Sequence, residues 1–266
     1  MIVNLSRNGA IGDILATSTV IDGLKNKYPN CVIYYYTQIL EAAYLIKGVD
    51  VVHYVSEWDK RTPGVDCLMS GYPYNATHPY LPMRRHLVEY FAENAGVCPG
   101  DYSLNPLSQN LVEGEFISLH IKAGWSKYKE WAVPNWNELI KEINYKFVQI
   151  GSKDDPLVDG VIDMRGQPLQ QSCALINDSA VHVGIDSFNN HLSGGLKKKA
   201  VILFGSTNPS SFGYPTAINI YKNLPCQPCH KGQGHEFLGE CNHHSCMKQI
   251  TVEEVKNSIL KQLEIV

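Results

Sequence analysis

Two strand-length segments separated by a polar turn, the second an unbroken apolar run, constrain this chain more than any other feature. Val181–Ile185 and Ala200–Phe204 each read as a strand buried on both faces. Between them, Asp186–Asn190 has helix-start chemistry, and His191–Lys197 is long enough for two helical turns. Strand, polar turn, short helix, strand is the repeating unit of a parallel sheet covered by helices. In such a sheet the turn after a strand sits at the carboxyl edge, where ligands bind. Free amides at the helix start attract anions there. Asp186, Ser187 and His191 thus stand where a nucleotide diphosphate can be gripped. Helix capping by Asp186 and Ser187, with His191 packed beneath, is the alternative.

The same alternation runs through the rest of the 266 residues. Ile2–Leu5 reads as a strand and Arg7–Asp13 as a Gly-containing turn. Ile14–Tyr28 has apolar residues at helical spacing, and Pro29-Asn30 ends that helix. Strands are predicted at Cys31–Tyr36 and Val51–Val55, with a short helix at Glu41–Ile46. Glu57–Pro82 is irregular and aromatic, and Met83–Ala95 is read as a helix carrying Arg84 and Arg85. Cys98–Gly114 lacks periodicity and marks a domain boundary. A second α/β run follows: strand Phe116–His120, helix Pro134–Ile143, strand Lys146–Gly151, a short strand at Val161–Gly166 and helix Leu169–Asn177. Thr251–Ile265 is read as a C-terminal helix capped by Thr251. The predicted division is 1–110, 111–250 and 251–266.

With 44% hydrophobic and 18% charged residues the composition is globular, which excludes a disordered chain. The net charge of −3 supplies no overall field toward nucleic acid. No apolar run spans a membrane and no signal-peptide layout opens the sequence, so a cytoplasmic location is expected. Gly9 and Gly12 permit a tight turn, though not a dinucleotide fingerprint. Asp13 then opens a helix, either as its cap or as a carboxylate on a ligand crevice. Cys226, Cys229, Cys241 and Cys246 have the spacing C-x₂-C-x₁₁-C-x₄-C. Four thiolates in two short-spaced pairs suit one tetrahedral zinc or iron, structural because no position is left for water. His230, His235, His243 and His244 lie close enough to replace one cysteine.

Gly9–Leu24 followed by Tyr28-Pro29, Gly124–Trp131 with Trp136, Phe147–Gly151, Asp186-Ser187 with His191, Leu203–Pro209 and Cys226–Cys229 occur in the order found in glycosyltransferase family 9. The chain resembles this family of ADP-heptose lipopolysaccharide heptosyltransferases over most of its length. The resemblance implies a GT-B architecture, two Rossmann-like domains facing a cleft, and an inverting transfer without a catalytic metal. It implies Asp13 as the general base. Ser126, Lys127, Lys129, Asp186, Ser187 and His191 would hold the nucleotide diphosphate sugar, with Gly12, Arg84 and Arg85 on the acceptor side. Similar heptosyltransferases that act on autotransporters carry iron on cysteines near this region, which sets iron beside zinc. The expected acceptor is a saccharide such as lipopolysaccharide core. The alternatives are a hydroxymethylated base in bacteriophage DNA and a non-catalytic sugar-nucleotide-binding protein.

Overall fold

A computed structural model describes residues 1–58, 65–68, 83, 85–229 and 241–264. Arg84, most of the aromatic loop through Pro82, and His230 and His235 lie outside the described residues. The chain divides into two compact units: Met1–Pro106 with Gly195–Lys197, and Leu107–Gly194 with Lys198–Val266.

The first unit opens with β1 (Ile2–Ser6), α1 (Ile11–Ala16) and α2 (Ser18–Lys27). It continues with β2 (Val32–Thr37), α3 (Leu40–Ala43), β3 (Val51–Tyr54), β4 (Val65–Leu68) and α4 (Leu87–Asn94). Its sheet has the order β3-β2-β1-β4, with every pairing parallel. The helix read as continuous over Ile14–Tyr28 starts earlier and is broken at Thr17. There the hydroxyl donates back to the Ile14 carbonyl at 2.7 Å and meets the Tyr35 hydroxyl at 3.0 Å. Such back-bonding competes with the helical ladder and bends it. Val20, Ile21 and Leu24 then bury one face of α2.

The second unit contains β5 (Ile117–His120), α5 (Val133–Glu142), β6 (Phe147–Gln149), β7 (Ile162–Asp163) and α6 (Leu169–Asp178). Next come β8 (Val181–Ile185), α7 (Phe188–Gly195), β9 (Ala200–Phe204), α8 (Pro209–Phe212), β10 (Ala217–Tyr221), α9 (Ser245–Lys248) and α10 (Val252–Leu263). The sheet order is β10-β9-β8-β5-β6-β7, all parallel. Every residue of β8 and β9 is buried; β9 is an uninterrupted apolar sequence, and β8 carries one polar side chain, His182, into the interior. One core joins these strands to Trp131, Trp136 and Leu139 around α5 and to Val255 and Ile259 of α10. Trp131 and Trp136 meet edge to face at 4.8 Å, and the Trp131 indole donates to the Ile250 carbonyl at 3.1 Å. That bond fastens the approach to α10. Thr251 caps α10 through the Glu254 N–H, as its sequence position predicts.

Candidate functional site

The strand order places the chemistry. From β5 the second sheet grows through β6 and β7 on one side and through β8, β9 and β10 on the other. The order therefore reverses between β5 and β8, and the carboxyl ends of those two strands flank a crevice. His120 ends β5, and Asp186 and Ser187 follow β8.

Asp186 is buried at the centre of this edge. Its Oδ2 accepts from Lys129 Nζ at 2.7 Å and from the Thr207 hydroxyl at 2.6 Å, while Asn190 Nδ2 lies 3.4 Å from Oδ1. Burial alone would raise its pKa. The Lys129 charge, the hydrogen bonds from Lys129 and Thr207, and nearby His191 outweigh burial and hold the carboxyl below its ordinary value. Lys129 sits on a short 3₁₀ turn, Lys127–Lys129, capped by the Ser126 hydroxyl, which accepts the Tyr128 N–H at 3.2 Å. The ammonium lies 5.1 Å from the Trp125 ring centre and 5.8 Å from that of Phe212. An ammonium has three N–H donors, so pairing with Asp186 leaves capacity for a further acceptor. Lys127 lies over the Tyr128 ring at 5.4 Å. His191 Nδ1 meets the Tyr214 hydroxyl at 2.6 Å.

Buried histidines lie beneath this edge. His120 Nδ1 and Ser187 Oγ are 2.9 Å apart. Burial pushes His120 down to about 4, so the ring is neutral at physiological pH. His182 is pushed down to about 3, by burial first and then by His120. Its Nδ1 meets Ser118 Oγ at 3.0 Å, Ser118 donates to Ser179 at 3.1 Å, and Ser179 donates to the Ile176 carbonyl. With the Ser118 proton spent on Ser179, His182 must donate from Nδ1, and its buried Nε2 has no partner.

In the first unit, Asp13 lies in the first turn of α1, after β1, at the edge where β2 and β4 flank β1 on opposite sides. Its Oδ2 accepts the Ala10 N–H at 3.1 Å, and its Oδ1 is 3.4 Å from Arg7 Nη2. Arg7 is itself buried and stacks on Phe91 at 4.6 Å. The capping expectation for Asp13 is thus met, and an arginine that sequence reasoning did not single out orients the same carboxylate. Gly12 is buried in α1 beside it. Arg85 is exposed, paired with Glu93 at 2.5 Å and stacked on Tyr90 at 4.4 Å.

Among the described residues, Cys226, Cys229, Cys241 and Cys246 form no disulfide. Burial raises Cys246 to about 11, helped by the charges of the other three, so those three lie within electrostatic reach of Cys246. Among the described residues, no three His, Cys, Asp or Glu side chains converge on a metal-binding arrangement. Both cysteine pairs touch the Lys129 turn or its neighbour after β9. The Cys241 N–H donates to the Tyr128 hydroxyl at 3.3 Å, the Cys229 N–H to the Ser206 carbonyl at 3.0 Å, and Gln227 Nε2 to the Gly205 carbonyl at 2.5 Å. The His244 N–H donates to Cys241 Sγ at 3.3 Å.

No protein-family model matches the sequence, and no curated protein matches it either. Solved structures do. The dodecameric iron-containing heptosyltransferase TibC, in complex with ADP-D-β-D-heptose, superposes with a TM-score of 0.78 at 14% identity, over 99% of this chain and 76% of that one. TibC comes from enterotoxigenic E. coli H10407. A family 9 glycosyl transferase from Veillonella parvula gives 0.74 at 14% identity over 100% and 97%. The E. coli ADP-heptose lipopolysaccharide heptosyltransferase II gives 0.74 at 16% identity over 99% of each chain. The chain therefore has the GT-B-type fold of family 9 heptosyltransferases, with two Rossmann-like units, as the ordered motifs implied. Among the described residues no helix is long and apolar enough to cross a membrane.

Proposed function

We propose that this protein is an inverting glycosyltransferase that uses an ADP-heptose-like nucleotide diphosphate sugar and delivers the sugar to a saccharide hydroxyl, as in lipopolysaccharide core. The observation that carries the reading is the Lys129–Asp186–Thr207 node at the point where the second sheet reverses its strand order. A diphosphate leaving group needs cationic or amide donors where its charge grows. Lys129 supplies one, the start of α7 supplies amides, and Ser126, Lys127 and His191 complete the donor segment. Asp186 orients Lys129 and offers Oδ1 to hydroxyls. An acceptor hydroxyl must lose a proton during the displacement, and Asp13 is the base, oriented by Arg7 and the Ala10 N–H. A saccharide acceptor is favoured over DNA because Arg85, the described half of the basic pair, is already neutralised by Glu93. A soluble cytoplasmic enzyme accords with this reading.

The four cysteines hold one structural zinc or iron in the same reading. Three further cysteines within electrostatic reach of Cys246, and a backbone N–H already donated to Cys241 Sγ, are the donor chemistry such an ion stabilises. The bound ion would supply no reaction step; it would hold Tyr128, Gly205 and Ser206, the supports of Lys129.

A thermal-shift panel of ADP, UDP and GDP, each alone and as a sugar conjugate, tests the donor assignment. The expected outcome is the largest stabilisation by ADP-heptose, growing with ligand concentration. Equal melting temperatures across the panel would remove the reading.

A further inference from the structure

His120 and its two flanking groups are not explained by the donor site as described. The ring is inserted at the reversal point, with Ser187 on Nδ1 at 2.9 Å and Asp155 Oδ2 at 3.9 Å from Nε2. The Phe188 ring covers it edge to face at 5.4 Å. Room for the imidazole depends on Gly151, whose φ is +133° and whose hypothetical Cβ would lie 3.0 Å from His120 Cδ2. Ser187 remains partly exposed. Asp155, His120 and Ser187 thus form a row running from a half-buried carboxylate to the crevice.

A neutral imidazole carries one proton, and the row decides which nitrogen has it. The Asp155 carboxyl accepts the Ser152 N–H at 2.9 Å, and Arg165 Nη1 donates to the Asp155 backbone carbonyl. Burial raises its pKa, while the Ser152 N–H and the Lys122 and Arg165 charges limit the rise against Glu130. A carboxylate facing Nε2 attracts an N–H and repels a lone pair. Nδ1 is then the bare nitrogen, and the Ser187 hydroxyl proton must point to it. What Ser187 offers the crevice is lone pairs alone.

We propose that Asp155 and His120 act as positioning residues that make Ser187 a hydrogen-bond acceptor, so that Ser187 reads a hydroxyl of the transferred sugar and not the diphosphate. Phosphate oxygens present only lone pairs to such a group, whereas a sugar O–H can donate to it. The proposal rests on the nucleotide-sugar reading above and removes Ser187 from the phosphate-binding set that the sequence suggested.

Two measurements on the full chain test it. In ¹⁵N-histidine-labelled wild-type protein, long-range proton–nitrogen spectra should show His120 protonated on Nε2 and bare on Nδ1. A proton on Nδ1 would overturn the proposal, whether or not any ligand binds. Calorimetric titration with ADP and with ADP-heptose should show Ser187→Ala weakening ADP-heptose roughly three- to tenfold, the worth of one ordinary hydrogen bond, with ADP unchanged. His120→Leu should give the same selective loss, and no further loss on top of Ser187→Ala. Equal weakening of both ligands, or of neither, would contradict the proposal. Failure of the wild type to bind ADP-heptose at all would instead overturn the functional reading beneath it, and the sugar assignment with it.

Discussion

Asp13 carries two roles at once, a helix cap and a proposed base, and they separate experimentally. Asp13→Asn keeps the size and an acceptor oxygen for the Ala10 N–H. If the carboxylate takes the acceptor proton, turnover should fall about 10²–10⁴-fold while ADP-heptose affinity is retained. A pure cap would keep its bond through the asparagine oxygen and leave both stability and turnover near normal. The buried histidines give a pH test with a definite sign. Their folded pKa values, about 4 and about 3, lie below the ordinary 6.5. The unfolded chain therefore binds their protons first. Their contribution is fully present above pH 6.5 and is lost as pH falls toward 4 and then 3. For His120 alone the loss is about 3 kcal/mol. Urea unfolding between pH 7 and 4 should show this slope, and His182→Phe should flatten it. Ser118→Ala removes the group that receives the His182 proton, and an unpaired buried donor should cost about 1–3 kcal/mol.

At the scale of elements, the turn after β9 is built against the Lys129 turn. A Cβ on Gly205 would lie 2.2 Å from the Tyr128 carbonyl oxygen and 3.2 Å from Lys129 Cα. Both neighbours are backbone and cannot rotate away. Gly205→Ala should therefore displace Lys129, lowering ADP-heptose affinity at least tenfold in calorimetry while the far core around Trp136 stays folded. Much of this element was legible. The unbroken apolar run of β9, the largely apolar β8 and the polar turn between them allowed few other arrangements. The break at Thr17 was not legible, because it needs the Tyr35 hydroxyl from a neighbouring strand. Lys129–Asp186 and His120–Ser187 lie 57 and 67 residues apart in sequence. Local pattern placed each member near a strand end, but only the strand order made them partners. Arg7 escaped notice because a lone arginine in a turn is usually solvated, and here Phe91 and Asp13 enclose it.

At the scale of the whole molecule, the fold is that of family 9 at low sequence identity, so the chemistry must be earned by this chain's own residues. The cysteine segment ties a proposed metal to the donor turn through Tyr128, Gly205 and Ser206. Purified protein should contain close to one zinc or iron per chain. Removing the metal with a chelator should weaken ADP-heptose binding without unfolding the sheet seen by circular dichroism. Metal-free protein of unchanged affinity would show the segment to be independent of the donor site. The most direct test of the central claim follows ADP release from ADP-heptose, with and without lipopolysaccharide core oligosaccharide, for wild type beside Asp13→Asn. The account requires release that the oligosaccharide stimulates and that the substitution suppresses about a hundredfold or more. Folded wild-type protein that releases no ADP under either condition, or a variant as fast as wild type, would contradict it.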